Sequence, residues 1–167
     1  DYDIVIRLDG DGQHSPSEIP SLLSAIQERQ VDVVVGSRFL GTAVDMPIPL
    51  LRRFGICVFA WTVSLLTGRR ATDTTSGFLV MNRRAINALA TYIPQDYPEV
   101  EGRIVLHKAG LITLELPACM RARYSGVSSI NSWRSIYYAL KVTVAVLIGA
   151  LKDIPALPKE MANADTD

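Results

Sequence analysis

The sequence predicts one α/β domain, because of its length and the pattern of its first three elements. Its 167 residues are enough for a single compact domain with a core of its own. Ile4–Leu8 and Val31–Gly36 are short apolar runs rich in β-branched residues, as is typical of buried strands. Between them, apolar side chains recur at helical spacing at Ile19, Leu22 and Ile26. A strand, a helix and a strand in this order form a βαβ unit, which favours a parallel sheet.

The composition narrows the classes of function. Lys plus Arg and Asp plus Glu each number 17, so the formal net charge is zero and we expect no nucleic-acid partner. Hydrophobic residues make up 49% and the mean hydropathy is +0.20, which excludes general disorder and favours a buried sheet or membrane contact. Cys57 and Cys119 form no C-x-x-C motif, so we expect two buried free thiols in a reducing compartment.

The first helix carries a start signal. Ser15 is the predicted N-cap, Pro16 the first helical residue, and Glu18 the partner that completes a capping box.

Further elements follow at regular intervals. The pattern predicts a helix over Leu50–Thr67 that ends at Gly68 and has one apolar face. That predicted face consists of Leu51, Phe54, Val58, Trp61 and Leu65. The remaining predicted elements are a strand over Gly77–Met81, a helix capped by Asn82, a helix over Val100–Ala109 and a strand over Leu111–Pro117.

A pair of aspartates at the end of the first strand is the first candidate site. Ligands of open α/β sheets bind outside the carboxyl ends of strands, and Asp9 and Asp11 lie there. Two carboxylates one residue apart repel each other unless a cation joins them, and Mg²⁺ or Mn²⁺ prefers such oxygen ligands. Gln13 is placed to add a neutral oxygen. A polar turn that only ends the strand is the alternative.

Two rival motifs fail on this segment, and a third fits only in part. An EF-hand loop from Asp9 would need an aspartate or asparagine, a glycine and a glutamate where Gln13, His14 and Pro20 stand. A dinucleotide fingerprint needs a third glycine at the position of Ser15. A phosphatase with an aspartate nucleophile also begins with a strand and D-x-D, but it usually has a small hydroxyl residue where Gln13 stands, and it stays open.

Arginines at strand ends and in loops suggest an anion site, because arginine binds phosphate through two hydrogen bonds. The residues concerned are Arg38, Arg52, Arg53, Arg121 and Arg123, and ordinary surface charge is the alternative.

Two polar segments complete the candidates. Thr72–Phe78 is either a turn or an active-site loop before a strand. Tyr97–Glu101 places acids at a helix start, where they either complement the helix dipole or face an acceptor. His14 and His107 form no pair at metal spacing.

Taken in order, these motifs resemble glycosyltransferase family 2, and within it the polyprenyl-phosphate sugar transferases of the dolichol-phosphate mannosyltransferase type. The matching segments are Leu8–Pro16, Val35–Phe39, Arg52–Gly55, Asp73–Phe78, Tyr97–Glu99 and Arg123–Ser128. The resemblance implies a GT-A fold, a Rossmann-like mixed sheet flanked by helices. It also implies inverting, metal-dependent transfer of a sugar from a nucleotide-diphosphate donor to a lipid phosphate.

The resemblance also implies site residues. Asp9, Asp11 and Gln13 match the metal and diphosphate site. The residues expected to be catalytic are Asp11, Arg38, Arg53, Asp73 and Glu99. The residues expected to bind substrates are Gln13, Ser37, Arg52, Ser76, Arg123 and Ser128. The family often has a lysine where Ser129 stands, and it opens with a strand and a nucleotide-reading region that we expect to precede Asp1 in a longer protein.

We therefore expect residues 1–131 to be the C-terminal part of a GT-A domain, followed by an apolar helix over Ser132–Lys152 and a flexible tail over residues 153–167. The uninterrupted apolar part, Val142–Leu151, is about half the ~20 residues that a membrane-spanning helix needs. A helix lying in the membrane interface is favoured, while a core helix and a spanning helix stay open. We expect peripheral attachment on the cytoplasmic face of a membrane, and a homo-oligomer stays open.

The sequence leaves other functions open. These are a transferase with a soluble or glycan acceptor, a phosphotransferase that uses Asp9, and a non-catalytic membrane-associated module.

Overall fold

The structure is a computed structural model that describes residues 2–41, 49–92, 98–119, 121, 141–144 and 146–148. Arg123 and Ser128 lie outside the described residues, as do the tail and most of the predicted Ser132–Lys152 helix.

A four-stranded mixed sheet forms the centre of the described fold. Its strands are β1 (Ile4–Arg7), β2 (Val33–Ser37), β3 (Leu79–Asn82) and β4 (Thr113–Pro117), in the spatial order β1-β3-β2-β4. β3 is antiparallel to both of its neighbours, whereas β2 and β4 are parallel. The α/β fold class is confirmed. The parallel sheet favoured by the first three elements is wrong in one respect, because β3 separates β1 from β2.

Helices cover both faces of this sheet. They are α1 (Ile19–Glu28), α2 (Leu50–Thr67), α3 (Arg83–Thr91) and α4 (Pro98–Lys108). One core cluster joins α1 to the sheet through residues such as Leu22, Val34 and Phe78. A second cluster on the other face joins α3 and α4 to the sheet around Val35 and Leu106.

A third cluster lies between α2 and α4. Phe59 and Val63 of α2 pack with Val100 and Ile104 of α4, and Val142 and Val146 complete this cluster. The described end of the chain is therefore tied to the domain through two buried valines.

Local signals set several helix ends. Gly68 ends α2 in the left-handed conformation with a φ of 64°, which costs a glycine little. Asn82 caps α3 by accepting a hydrogen bond from the Ala85 amide at 2.9 Å. Both signals were predicted, and both are confirmed.

The predicted capping box at the start of α1 is wrong. The Ser15 hydroxyl bonds the Ser17 hydroxyl at 2.8 Å, and a 3₁₀ turn over Pro16–Glu18 precedes the helix. The Glu18 carboxylate instead accepts a hydrogen bond from the Cys119 amide at 2.8 Å. A contact between distant parts of the chain thus replaces the local one.

The apolar face identified in the sequence of α2 is exposed rather than buried. Phe54, Trp61 and Leu65 are 67–68% exposed, while Phe59 and Val63 face the core. The helix is apolar around most of its circumference, so spacing alone does not determine which side the domain buries. Cys57 and Cys119 are likewise exposed rather than buried.

Candidate functional site

The candidate site lies at the edge of the sheet where β1, β2 and β4 end. Because these strands run in the same direction, the segments that follow them emerge side by side. The loop that leads into β3 enters at the same edge, since β3 runs in the opposite direction. This topology brings together the acidic loop, Arg38 and the Thr72–Phe78 segment.

Asp9 lies against the backbone of Gly77. A Cβ atom at Gly77 would overlap with both carboxylate oxygens of Asp9, so only glycine leaves room for this carboxylate. His14 Nε2 lies 3.5 Å from Asp9 Oδ2, and the His14 ring is buried against Phe78 at a centroid distance of 5.1 Å. Asp9 therefore lies between a glycine and a histidine, with 46% of its side chain exposed.

Asp11 and Gln13 shape a tight turn. Asp11 Oδ1 accepts a hydrogen bond from the Gln13 amide at 3.1 Å, and Gly12 adopts a φ of 75°. The Gln13 side chain is buried and donates to the Arg121 carbonyl at 3.4 Å. The Gln13 carbonyl accepts from the Arg121 amide at 2.9 Å. The acidic loop is thus linked to the segment after β4.

Arg38 and Asp73 form a close ion pair. Arg38 Nε donates to Asp73 Oδ2 and Arg38 Nη2 donates to Asp73 Oδ1, each at 2.6 Å. The Arg38 amide also donates to Oδ2 at 3.1 Å, and Nη2 donates to the Thr75 hydroxyl at 2.6 Å. Asp73 is fully buried, so it acts on its surroundings through Arg38.

Ser37 and Ser76 are buried parts of the same framework. The Ser37 hydroxyl bonds the Thr72 hydroxyl at 2.6 Å and accepts from the Phe39 amide at 3.2 Å. The Ser76 hydroxyl donates to the Gly36 carbonyl at 2.6 Å. The structure thus places both serines in contacts that join β2 to the loop before β3, and their role in substrate binding stays a prediction.

A buried ion pair that the sequence analysis missed lies below this loop. Arg103 of α4 donates to Glu115 of β4 at 2.9 Å, and less than a tenth of each side chain is exposed. Burial lowers the pKa of Arg103, and the charge of Glu115 opposes that effect. Glu115 also accepts from the amide and the hydroxyl of Thr72. In the sequence, Glu115 stands out only as the single charged residue of β4, which does not identify its partner.

Glu99 lies at the start of α4 and forms an ion pair with Arg7. Arg7 Nη2 lies 2.7 Å from Glu99 Oε1, so the carboxylate connects α4 to the end of β1. Arg52 and Arg53 lie in the exposed first turn of α2. These three predicted site residues are not joined to the Arg38–Asp73 pair by any described contact.

The acidic loop carries the residues that were predicted to hold a hard divalent cation. Asp9 and Asp11 offer oxygen ligands, and Asp9 rests where a Cβ at Gly77 would not fit. Within the described ranges, no group of three or more His, Cys, Asp or Glu side chains is arranged to hold a metal ion. Mg²⁺ typically needs only one or two carboxylates, because substrate phosphates and waters complete its shell. The two aspartates supply oxygen ligands of the kind such a cation takes, and a cation at this loop stays a prediction.

The fold and the site define an α/β domain with an acidic loop and a braced arginine at the carboxyl edge of its sheet. The model of the family "Glycosyl transferase family 2" matches residues 1–89, which is more than half of the chain. The chain belongs to glycosyltransferase family 2, and the family resemblance seen in the sequence is confirmed.

Curated relatives are similar over part of their length. A UDP-N-acetylglucosamine–dolichyl-phosphate N-acetylglucosaminyltransferase from Methanococcus voltae is 29% identical over 117 residues, which are 69% of this chain and 47% of the relative. An undecaprenyl-phosphate mannosyltransferase from Micrococcus luteus is 30% identical over 92 residues, or 53% of this chain and 35% of the relative. A polyprenol monophosphomannose synthase from Mycolicibacterium smegmatis is 31% identical over 91 residues, which are 53% of this chain and 33% of the relative. The chain spans about half the length of these relatives or less.

Proposed function

We propose that the protein transfers a sugar, with inversion, from a nucleotide-diphosphate donor to a polyprenyl phosphate. The observation that carries this proposal is the acidic loop and the Arg38–Asp73 pair at one edge of the sheet. Relatives named for dolichyl-phosphate, undecaprenyl-phosphate and polyprenol substrates support a lipid-phosphate acceptor.

The transfer step needs stabilisation of the negative charge on the leaving group more than it needs a general base. An acceptor phosphate oxygen is already anionic, so it attacks the anomeric carbon without first losing a proton. The bond from that carbon to the donor diphosphate breaks, and the nucleoside diphosphate leaves with the electron pair. Catalysis of this step needs positive charge and hydrogen-bond donors where the leaving group gains negative charge.

Arg38 is the residue we propose for that role. Its contacts with Asp73 and Thr75 use Nε and Nη2, which leaves the N–H groups of Nη1 for an oxygen of the diphosphate. Asp73 acts as a positioning residue, because it is buried and holds the guanidinium in one orientation.

Asp9 and Asp11 are the residues that we propose to hold Mg²⁺ or Mn²⁺. Such a cation, when bound, neutralises part of the charge on the donor diphosphate. The contribution of the chain is to fix the carboxylates: Gly77 and His14 locate Asp9, and the Gln13 amide orients Asp11.

An assay of lipid-linked sugar formation tests the function. UDP-N-acetylglucosamine and GDP-mannose would each be supplied with a polyprenyl phosphate in detergent and Mn²⁺. Asp11→Ala should abolish transfer and weaken Mn²⁺-dependent nucleotide binding. Asp3→Ala is the matched control, because Asp3 is an exposed carboxylate paired with Arg83 at 2.9 Å, away from the acidic loop.

Three outcomes would contradict the proposal. Activity of Asp11→Ala within a few-fold of the unmodified protein would remove the metal role. Transfer to a soluble glycan but not to a lipid phosphate would show that the acceptor is not a polyprenyl phosphate. Vesicle binding without nucleotide binding would favour a non-catalytic module.

We further propose that the protein attaches peripherally to the cytoplasmic face of a membrane through α2. α2 is long and apolar enough to cross a membrane by length and composition, and it is the single such helix in the part of the chain that the structure describes. Phe59 and Val63 are nevertheless buried against α4, so a spanning orientation would break the third core cluster. The exposed Phe54, Trp61 and Leu65 instead suit a helix that lies in the interface plane.

Charge supports this attachment. Arg52 and Arg53 lie in the first turn of α2, and Arg69 and Arg70 follow its last turn. The cytoplasmic leaflet carries anionic lipids that attract basic segments. In the predicted Ser132–Lys152 helix, Val144, Leu147 and Ile148 are exposed while Val142 and Val146 are buried, so this segment has an apolar outer side as well.

A further inference from the structure

The Arg103–Glu115 ion pair joins two elements of the domain to the loop that precedes β3. Arg103 comes from the middle of α4 and Glu115 from the middle of β4. Glu115 Oε2 accepts from the Thr72 amide at 2.8 Å and from the Thr72 hydroxyl, and Arg103 Nη2 donates to the Asp73 carbonyl at 3.1 Å. The pair therefore binds the backbone on both sides of the peptide bond that links Thr72 to Asp73.

The same loop positions Arg38. The Asp73 carboxylate receives Nε and Nη2 of Arg38 at 2.6 Å each, and the Thr72 hydroxyl bonds the Ser37 hydroxyl at 2.6 Å at the end of β2. Because Thr72 and Asp73 are neighbours in the chain, the ion pair fixes the point from which the Asp73 carboxylate extends. A continuous set of contacts runs from α4 to Arg38.

Stability alone does not account for a buried pair of this kind. Desolvation of two charges offsets much of their attraction, and apolar residues of similar volume often stabilise a core as well or better. The other hydrogen bonds of the pair indicate a different role, because they go to Thr72 and Asp73, in the loop that holds Arg38. A group whose hydrogen bonds converge on one loop is suited to positioning that loop.

We propose that Arg103 and Glu115 are positioning residues of the transfer reaction, which hold Thr72 and Asp73 so that Arg38 stays aligned with the donor diphosphate. This assignment rests on the proposed function. It goes beyond the family motifs, because neither residue lies in a segment that carries the resemblance.

A double variant, Arg103→Met with Glu115→Leu, tests the assignment. Replacing both charges avoids an unpaired buried charge, so the protein should fold, with a melting temperature lowered only by the loss of the hydrogen bonds to Thr72 and Asp73. The anchors of Thr72 and Asp73 are lost, and we expect kcat to fall about 10- to 100-fold, with KM for the nucleotide sugar changed less than about threefold.

Combination with Arg38→Ala separates positioning from a merely structural role. If the pair acts through Arg38, the triple variant should have the kcat of Arg38→Ala alone, because the aligned group is already gone. If the pair has only a structural role, the decrease in kcat of the triple variant should instead be the product of the decreases in the double variant and in Arg38→Ala. Thr72→Val is a second, milder variant, which removes the hydroxyl link to Glu115 and Ser37 but keeps the amide, and it should lower kcat several-fold.

The matched control is Asp32→Asn at the opposite end of β2. Asp32 is also a buried carboxylate in an ion pair, with Arg84 at 3.2 Å, and it accepts from the Ile112 amide at 2.7 Å. This variant loses a comparable charge away from the site, so kcat should stay unchanged.

Two results would overturn the assignment while the unmodified protein is active: a folded double variant with kcat within about twofold of normal, or losses that multiply in the triple variant. Absence of transfer by the unmodified protein would overturn the proposed function, and the assignment with it.

Discussion

The guanidinium of Arg38 forms two parallel hydrogen bonds with the carboxylate of Asp73, each 2.6 Å long. The side chain of Asp73 is fully buried and that of Arg38 is 10% exposed, so the pair is largely desolvated. Charged pairs with this geometry are stronger than neutral hydrogen bonds, and the loss of one partner leaves the other charge uncompensated. The pair therefore couples the stability of the domain to the orientation of the arginine at the site.

The first prediction follows from this coupling. Asp73→Asn should destabilise the protein by about 3 kcal/mol, because Arg38 would remain buried without its counter-charge. Urea denaturation monitored by circular dichroism measures this change. Asp3→Asn is the control, since Asp3 is exposed and its pair with Arg83 should contribute less than about 1 kcal/mol. Equal effects of the two substitutions would contradict the buried character of the Arg38–Asp73 pair.

The second prediction concerns the space beside Asp9. Gly77→Ala places a methyl group where the Asp9 carboxylate lies, so that carboxylate must move. Mn²⁺-dependent nucleotide binding should weaken about tenfold or more, as expected when a cation ligand is displaced. Gly10→Ala is the matched control, because a Cβ atom there meets nothing within 4 Å and Gly10 lies in the same acidic loop. Isothermal titration calorimetry compares the two, and equal affinities would remove Asp9 from the cation site.

Local signals made much of the fold predictable. Short β-branched runs marked β1 and β2, Asn82 marked the start of α3, and Gly68 marked the end of α2. The order of the strands was not predictable in the same way, because the position of β3 between β1 and β2 depends on pairing between residues far apart in the chain. The side of α2 that is exposed was also not predictable, because apolar residues occur on both sides of this helix.

The site was predictable where its residues follow strands. Asp9 and Arg38 lie at strand ends, and the rule for ligands of α/β sheets applies to both. The Arg103–Glu115 pair was missed because its partners lie on different elements and no short-range spacing links them. The partner of Glu99 was missed for the same reason, since Arg7 is 92 residues away in the sequence.

The third prediction separates the contributions of the two side-chain hydrogen bonds of Asn82 to stability. Its side chain accepts from the Ala85 amide as a helix cap and donates to Asp32 at 2.9 Å. Asn82→Ala removes both bonds and should cost about 1–2 kcal/mol of unfolding free energy. Asn82→Ser can still cap α3, so it should recover about 1 kcal/mol of that loss. Denaturant unfolding of both variants provides the measurement, and equal losses would show that the cap contributes little.

The fourth prediction tests the membrane face of α2. Phe54→Asp and Leu65→Asp should each weaken binding to vesicles of phosphatidylcholine and phosphatidylglycerol by about tenfold or more, because burial of such a side chain contributes about 1.5–3 kcal/mol. Ile112→Asp is the matched control, since Ile112 is an exposed apolar residue just before β4, at the amino end of that strand.

Fluorescence of Trp61 provides a direct measurement of the same contact. Trp61 is 68% exposed on the face that we propose to meet the lipid, and the chain has one further tryptophan, Trp133. In a Trp133→Phe background, vesicles should shift the Trp61 emission to shorter wavelength, and added salt should weaken binding because it screens the arginines that flank α2. Binding without a Trp61 shift, or equal loss of binding in Ile112→Asp, would move the membrane contact away from α2. Attachment through α2 requires the helix to keep Phe59 and Val63 in the core while Trp61 enters the lipid, so the unfolding free energy should not fall when the protein binds vesicles.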